Sequence, residues 1–224
     1  MVDIEAEKSK IESQTARTRL LVAAEQLFAA QGLAATSIRE LARTAGVNVA
    51  AVNYYFGSKD NLYLETLRKA FQQTGVTPNH FEAIYKQAQT EITPARARQA
   101  IKEFIKLFMQ TLFASEESQR HACLMAREIS DPSPALDVII AEFILPKHKT
   151  LMALLEQAQP KLVGKKELPW YALSIVGQCL HYHFTLPITL RLLQKKQMTP
   201  ELLSQISAHI ADFSLQALAN IATE

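Results

Sequence analysis

The chain has 224 residues, 48% of them hydrophobic, and a formal net charge of +2. This length allows one large domain or a small domain with a larger one, and no apolar run reaches the roughly 20 residues that span a bilayer. The first 14 residues are too polar for a secretory signal, so the sequence predicts a cytoplasmic protein that contacts no membrane.

Helix is predicted throughout, because alanine, leucine, glutamine, lysine and glutamate dominate and only 6 glycines occur. Residues 1–14 are expected to form a flexible arm, and residues 15–74 a compact domain of four short helices. The first helix begins near Arg17, where apolar residues start to recur at steps of three and four, and Gly32 ends it.

The next three helices are short, and each has its own start signal. Ser37 with Glu40 fits a capping box for the second helix, and Asn48 and Ser58 cap the third and the fourth. A glycine follows the second helix and another follows the third. Local signals therefore predict the borders of all three helices.

Residues 75–224 contain longer helical patterns and are expected to form a second, larger domain. Two of its helices open with threonine and proline, at Thr93 and Thr199, which places proline in the first helical position after an N-cap. A long segment from Pro134 is expected to kink near Pro146. The predicted fold class is all-α, with a small N-terminal domain before a larger helical one.

The second and third helices, joined by a tight glycine turn, have the spacing of a helix-turn-helix. In that motif the second helix enters the major groove of DNA and flanking groups bind phosphates. Ala50 and Ala51 are small enough for the helix to lie close to DNA. Adjacent helical residues point about 100° apart, so at least one of Tyr54 and Tyr55 should face outward. Lys59 opens the fourth helix, whose N-terminus favours an anion.

The charge of this region agrees with a polyanionic partner. Basic residues outnumber acidic ones by seven to four between residues 15 and 71, and a basic surface attracts nucleic acid. The alternative is a turn between two core helices with an ordinary solvated surface.

Residues 17–71 resemble the DNA-binding domain of the TetR family of bacterial transcription regulators. The matching stretch is AAEQLFAAQGLAATSIRELARTAGVNVAAVNYYFGSKDNLYLETL. The resemblance implies a homodimer that binds double-stranded operator DNA, with a C-terminal domain that binds a small ligand. It places Ala50, Ala51 and Asn53 on the recognition helix. It implies contacts to the DNA backbone from Thr36, Tyr54, Tyr55 and Lys59.

Asn53 departs from the family pattern, because many members carry tyrosine at this position. Asparagine can read adenine through two hydrogen bonds, or it can merely bind a water molecule. Both interpretations stay open from the sequence.

The C-terminal stretch REISDPSPALDVIIAEFILPKHKTLMALLEQ resembles the YbiH (CerR-like) branch of the same family. The last helix carries an apolar stripe that runs through Leu203, Ile206, Ile210, Phe213 and Ala217. One side of the stripe should pack on its own domain. The other side, with the helix over 170–184, should form a four-helix bundle across a two-fold axis, as the family resemblance implies.

Four residues of this domain are candidates for ligand binding: Arg127, Glu128, His181 and His183. Arg127 and Glu128 could hold a polar inducer or form an ion pair. Cys179 and His183 share a helix face and could line a pocket, bind a metal or only pack. Two ligands seldom suffice for zinc, so neither a metal site nor a cofactor is expected.

These observations predict a homodimeric transcriptional repressor that a small-molecule effector releases from its operator. The alternatives are an activator, or a DNA-binding protein that needs no ligand. An enzyme would need a hydrolytic or metal site at Cys179 and His183. The sequence carries neither a nucleophile signature nor a phosphate-binding loop, so no enzyme is expected.

Overall fold

The chain folds into helices, and a break in the first of them shapes the N-terminal part. The computed structural model describes residues 2–72, 78–114 and 116–220, with side chains for 15–72, 83–114 and 120–219. In this part of the chain all regular structure is helical, which confirms the all-α class. The helices are α1 (Val2–Ala35), α2 (Ile38–Ala45), α3 (Ala50–Phe56), α4 (Lys59–Gln72), α5 (Pro78–Gln89), α6 (Pro94–Leu112), α7 (Glu116–Ser130), α8 (Pro134–Ile139), α9 (Leu145–Ala158), α10 (Leu168–Phe184), α11 (Leu186–Leu192) and α12 (Pro200–Asn220).

The chain divides into two compact units. Unit 1 comprises Met1–Gln73 and Gln119–Ile139, and unit 2 comprises Thr74–Ser118 and Ile140–Glu224. The sequence placed the division after residue 74 and assigned α7 and α8 to the larger domain. The structure instead groups most of α7 and all of α8 with the N-terminal helices, because side chains of α7 bond to α1 and α4 and α8 packs on α4.

Gly32 interrupts α1, as the sequence predicted. Its φ of 82° and ψ of 174° are non-helical, in a region of backbone conformation that is essentially restricted to glycine. The carbonyls of the turn before such a break lose their helical partners and need other donors. Those donors come from outside α1 and help to shape unit 1.

Residues 2–14 have a helical backbone that continues into α1. The predicted border at residue 15 is therefore not a helix border. This stretch contains neither glycine nor proline, so nothing in it stops a helix. The expected flexibility of the arm stays a prediction.

The core of unit 1 holds the helix-turn-helix in place. Leu20, Phe28, Leu41, Val52 and Leu62 are fully buried. The ring of Phe28 meets that of Tyr63 edge-on, with centroids 5.0 Å apart, an arrangement that aromatic pairs favour. These contacts join α1 to α2, α3 and α4.

Unit 2 packs α6, α9, α10 and α12 around one hydrophobic core. Thr93 caps α6 as expected, by accepting a hydrogen bond from the N–H of Arg96. The sequence did not predict α5, which packs on α6 and α9. The predicted kink near Pro146 takes the form of a π-helical turn at Ile140–Ile144, immediately before α9.

A buried carboxylate ties three helices of unit 1 together. Glu25 on α1 is 6% exposed. Its oxygens lie 3.1 Å from Arg120 Nε, 3.5 Å from Lys69 Nζ and 3.6 Å from His121 Nε2. Contact with His121, and then with Arg120 and Lys69, lowers the pKa of Glu25 to about 2 although burial opposes the shift. The carboxylate therefore stays ionised in the folded protein well into acid.

Replacing Glu25 should lower stability in a pH-dependent way. A folded pKa near 2, below the ordinary value of 4.5, contributes stability that is complete above about pH 5 and disappears as the pH falls towards 2. We expect Glu25→Gln to cost about 1–2 kcal/mol at pH 7, because its cationic partners are partly solvated, and much less near pH 3. Urea unfolding at both pH values measures this.

Glu103→Gln is the matched control, since Glu103 pairs with Arg96 on an exposed surface and should cost under about 0.5 kcal/mol. An equal loss for Glu25→Gln at pH 7 and pH 3 would show that packing, and not charge, explains its effect.

Candidate DNA-binding site

The turn between α2 and α3 has the geometry that the sequence predicted. The Ser37 hydroxyl accepts a hydrogen bond from the N–H of Glu40, and Gly46 ends α2 in the left-handed region with a φ of 63°. The side-chain oxygen of Asn48 accepts from the N–H of Ala50 over 2.9 Å, and Ser58 accepts likewise from Asn61 over 3.0 Å. The turn is therefore held by local hydrogen bonds.

Helix α3 has one buried and one open face. Val52 is fully buried and anchors the helix. Ala50, Asn53 and Tyr54 are exposed, and Tyr54 keeps 80% of its surface open to solvent. The open face is therefore polar and aromatic, without a carboxylate.

The two adjacent tyrosines differ in exposure. Tyr55 is half-buried, and its ring meets that of Tyr54 edge-on with centroids 4.8 Å apart. The expectation that at least one tyrosine faces outward is thus confirmed for Tyr54. Ala51 is also half-buried, so Ala50 and Asn53 are the better placed residues for a close approach to bases.

Two arginines on α2 also belong to the candidate site, although no motif in the sequence pointed to them. Arg39 and Arg43 are exposed and four residues apart, so they share one face of α2. Among the described residues neither has an acidic group within ion-pair distance. By contrast, Arg17 and Arg68 both pair with Glu65. The signal in the sequence was the spacing of two arginines on the polar face of the helix.

Thr36 is not placed to touch DNA through its side chain, which corrects the prediction. The residue is 1% exposed, and its hydroxyl donates to the carbonyl of Gly32 over 2.7 Å. The same hydroxyl accepts from the side-chain amide of Gln31. Thr36 therefore closes the connection between α1 and α2 from the inside.

Lys59 has a structural role beside the predicted one. Its ammonium group donates to the carbonyls of Leu33 over 2.8 Å and of Thr36 over 3.0 Å. An ammonium group has three N–H donors, so one donor is left for a phosphate. Lys59 stays a predicted phosphate contact, but its removal also leaves two carbonyls without this partner.

Arg127 and Glu128 are both engaged inside unit 1, and no ion pair of either is found among the described residues, so their role in ligand binding stays a prediction. Arg127 donates to the carbonyls of Ala29 and Ala30 on α1. Glu128 is 1% exposed and accepts from the Tyr63 hydroxyl over 2.7 Å. The Ser133 N–H and hydroxyl also donate to it, over 2.8 and 2.9 Å. Burial, and then Glu128, raise the pKa of Tyr63, so the phenol stays a donor.

The histidine candidates lie in unit 2. His181 is exposed, whereas the half-buried ring of His183 meets Phe113 edge-on, with centroids 5.4 Å apart. Cys179 is fully buried, and burial raises the pKa of its thiol to about 12. A protonated thiol is a poor nucleophile and a poor metal ligand. The described residues contain no cluster of three or more metal-ligating side chains.

The exposed face of α3, the unpaired arginines on α2 and the all-helical fold define a class: regulators that bind DNA through a helix-turn-helix. Residues 20–66 match the family model described as bacterial regulatory proteins, tetR family. Residues 97–218, more than half of the chain, match the C-terminal domain of the HTH-type transcriptional dual regulator CecR. The chain belongs to the TetR family of transcription regulators, in the branch with a CecR-type C-terminal domain.

Curated relatives agree with this assignment. The chain is 32% identical over 151 residues to the HTH-type transcriptional dual regulator CecR of Shigella flexneri, an alignment that spans 65% of each protein. It thus matches slightly less than two thirds of that relative's length. Over 190 residues it is 22% identical to the probable HTH-type transcriptional regulator YttP of Bacillus subtilis (strain 168), covering 85% of this chain and 81% of the relative.

Solved structures share the fold. HlyIIR, a hemolysin II transcriptional regulator, superposes with a TM-score of 0.57 at 22% identity, covering 88% of this chain and 97% of that one. FadR from Bacillus subtilis, solved in complex with stearoyl-CoA, superposes with a TM-score of 0.59 at 14% identity and the same coverage. At these identities the likeness establishes the fold alone. Among the described residues, no helix is both long and apolar enough to cross a membrane.

Removing the unpaired arginines should weaken binding to any DNA sequence. Each phosphate contact contributes about 0.9 to the slope of log K against log salt. We expect Arg39→Gln and Arg43→Gln each to reduce that slope by about one, without a change in the urea midpoint. Titration of a random-sequence duplex at several salt concentrations measures the slope.

Lys59→Ala provides the contrast, because it should reduce the slope and also destabilise the fold by roughly 1–2 kcal/mol. Arg96→Gln, an exposed change in unit 2, is the charge-matched control. An unchanged salt slope in the arginine variants would show that α2 does not contact the DNA.

Asn53→Ala should relax the choice of base at one operator position. A base contact through two hydrogen bonds discriminates by roughly 1–3 kcal/mol, and Asn53 is exposed on the open face of α3. Affinities for all four bases at each operator position measure the effect. A uniform loss at every position would instead assign Asn53 to the DNA backbone, and no loss would leave it with a bound water only.

Proposed function

We propose that the protein is a homodimeric transcriptional repressor that a small-molecule effector releases from its operator. The DNA-binding part of this proposal rests on the open face of α3. Asn53 and Tyr54 face solvent there, beside an α2 whose arginines have no acidic partner among the described residues. Two such units, related by a two-fold axis, would present α3 to successive major grooves about 34 Å apart.

A homodimer is supported by an exposed apolar surface on unit 2. On α10, Trp170 is 63% exposed, Leu173 58% and Phe184 41%, and on α12 Phe213 is 59% exposed. Where exposed apolar side chains form a contiguous patch on a soluble protein, the patch marks an interaction site. The stripe predicted on α12 divides as expected, because Ile210 is 1% exposed and packs inward. We propose that the outward residues of α10 and α12 form the interface with a second copy.

An effector site is supported by an open groove of about 420 Å³ on unit 2. It lies between the end of α6 and the start of α12, and its lining includes Lys106, Gln110, Phe113, Met198, Leu203 and Ser204. This mixture suits a compound with an apolar body and a polar or anionic group. His183 packs against the Phe113 ring, and so borders this groove. His181, which faces outward on α10, fits the proposed dimer interface better.

A second role as an activator is favoured by one observation, the description of the Shigella relative as a dual regulator. The same DNA contacts serve both roles, and the position of the operator relative to the promoter decides between them. Catalysis has no support from the chemistry of the C-terminal unit, because the Cys179 thiol is buried and protonated. We therefore propose that the protein is not an enzyme. We also propose a cytoplasmic location, in keeping with the match to bacterial regulatory proteins.

The function is tested by selecting bound sequences from a random DNA pool and from sheared genomic DNA with the purified protein. A palindromic motif with half-sites about ten base pairs apart is the expected result. Compounds are then screened for those that raise the melting temperature and release the selected DNA. Failure to enrich any motif would contradict operator binding. Enrichment without release by any compound would favour the ligand-independent alternative.

A charge at Phe213 should separate the dimer. In a two-fold interface each substitution occurs twice near the axis, and a buried pair of like charges is strongly unfavourable. Because Phe213 is exposed in the monomer, we expect Phe213→Glu to yield a folded monomer with at least tenfold weaker operator binding. Sedimentation velocity with circular dichroism measures both properties.

Gln205→Glu on the same helix is the matched control, since Gln205 is exposed and polar and its change adds the same charge. It should leave the dimer intact. A dimeric Phe213→Glu protein with normal DNA affinity would place the interface elsewhere.

A further inference from the structure

Arg127 covers the break in α1 from a helix that lies almost a hundred residues further along the chain. Its Nε donates to the carbonyl of Ala29 over 2.8 Å, and its Nη2 donates to the carbonyl of Ala30. A Cβ on Gly32 would lie 3.8 Å from Nη1 and 3.9 Å from Cδ of the same side chain. The guanidinium therefore caps the carbonyls that the non-helical Gly32 leaves free.

The connection from α1 to α2 is held at its other end by two further groups. The Thr36 hydroxyl donates to the Gly32 carbonyl, and the Lys59 ammonium donates to the carbonyls of Leu33 and Thr36. Residues 29–36 are thus fixed by donors at both ends. This connection sets the point and the direction at which α2 begins.

Helix α7 is itself anchored next to Arg127. Glu128 accepts hydrogen bonds from Tyr63 on α4 and from Ser133 at the start of α8. The bond from Tyr63 is buried and those from Ser133 are partly buried, and a carboxylate acceptor makes such bonds strong. The position of α7 along α4 is therefore fixed, and with it the point from which the Arg127 side chain reaches α1.

We infer that Arg127 is a positioning residue for DNA binding. By capping the carbonyls of Ala29 and Ala30 it fixes the connection from α1, and so it sets the placement of α2 with its unpaired arginines and of α3. Arg127 itself contributes no contact to DNA in this role. The inference rests on the proposed DNA contacts of α2 and α3.

The experiment compares Arg127→Met and Arg127→Lys with the wild-type full-length protein. Methionine keeps much of the aliphatic stem and removes all donors. Lysine keeps the charge but lacks the fixed fork that serves two carbonyls. The control is Arg96→Met, which removes the same charge from an exposed ion pair in unit 2. Each protein is titrated with the selected operator and with a random duplex at several salt concentrations.

We expect operator affinity to fall about tenfold or more for Arg127→Met, because hydrogen bonds from a charged donor are lost, and by an intermediate factor for Arg127→Lys. The salt slope should not change, because no phosphate contact is removed. Hydrogen–deuterium exchange at residues 33–46 should be faster in Arg127→Met than in the Arg96→Met control.

Two results would overturn the inference. Wild-type affinity with wild-type exchange in Arg127→Met would show that the cap has no effect on α2. A salt slope reduced by about one would show that Arg127 binds a phosphate directly. If Arg127→Met does not fold, Arg127→Lys decides, because wild-type affinity in that variant would show that the fork is not needed. If the wild-type protein selects no operator, the proposed function fails, and the exchange of residues 33–46 still tests the cap.

Discussion

Free carbonyl oxygens at the end of a broken helix need donors, and this requirement organises unit 1. The break at Gly32 deprives the preceding turn of its helical hydrogen bonds. Arg127 donates to the carbonyls of Ala29 and Ala30 in this turn, and Lys59 donates to those of Leu33 and Thr36 beyond the break, so both donors are cations from other helices. Lys59 brings the start of α4 to the connection, and Arg127 brings α7. A local backbone break is thus converted into a tertiary arrangement of four helices.

Charge pairing explains why the proposed DNA-facing surface is basic although the chain is nearly neutral. The carboxylates of Glu25 and Glu65 on α1 and α4 are each shared between at least two cations of unit 1. These pairs hold helices together and contribute little net field. Arg39 and Arg43 stand outside them, so the unbalanced positive charge of the helix-turn-helix lies on the exposed face of α2. Binding a polyanion needs this local imbalance more than a high net charge.

The sequence predicted the helix-turn-helix well because its determinants are local. The side chains of Ser37, Asn48 and Ser58 each accept a hydrogen bond from a backbone N–H two or three residues further along the chain, so residue type and spacing suffice. Whether a hydroxyl in a connection points inward or outward depends on tertiary packing and not on local sequence. For this reason Thr36 was predicted to contact DNA, whereas the structure buries it. The partners of Arg127 lie 97 and 98 residues away, and no pattern in one sequence connects such positions. The same limit explains why the sequence did not show that most of α7 and all of α8 group with the N-terminal helices.

The contacts that Arg127 and Glu128 of α7 make with the N-terminal helices differ in what they require of their partners. Arg127 donates to backbone carbonyls, which every residue at positions 29 and 30 would provide. Glu128 accepts from the phenol of Tyr63, so its contact depends on one side chain inside the stretch that matches the tetR family model. A phenylalanine at position 63 would keep the ring packing on Phe28 but would remove one donor from a buried carboxylate, at a cost of about 1–3 kcal/mol. The cap is therefore compatible with any N-terminal sequence that breaks α1 in the same place, whereas the Tyr63–Glu128 bond restricts which N-terminal sequence and which α7 can be combined.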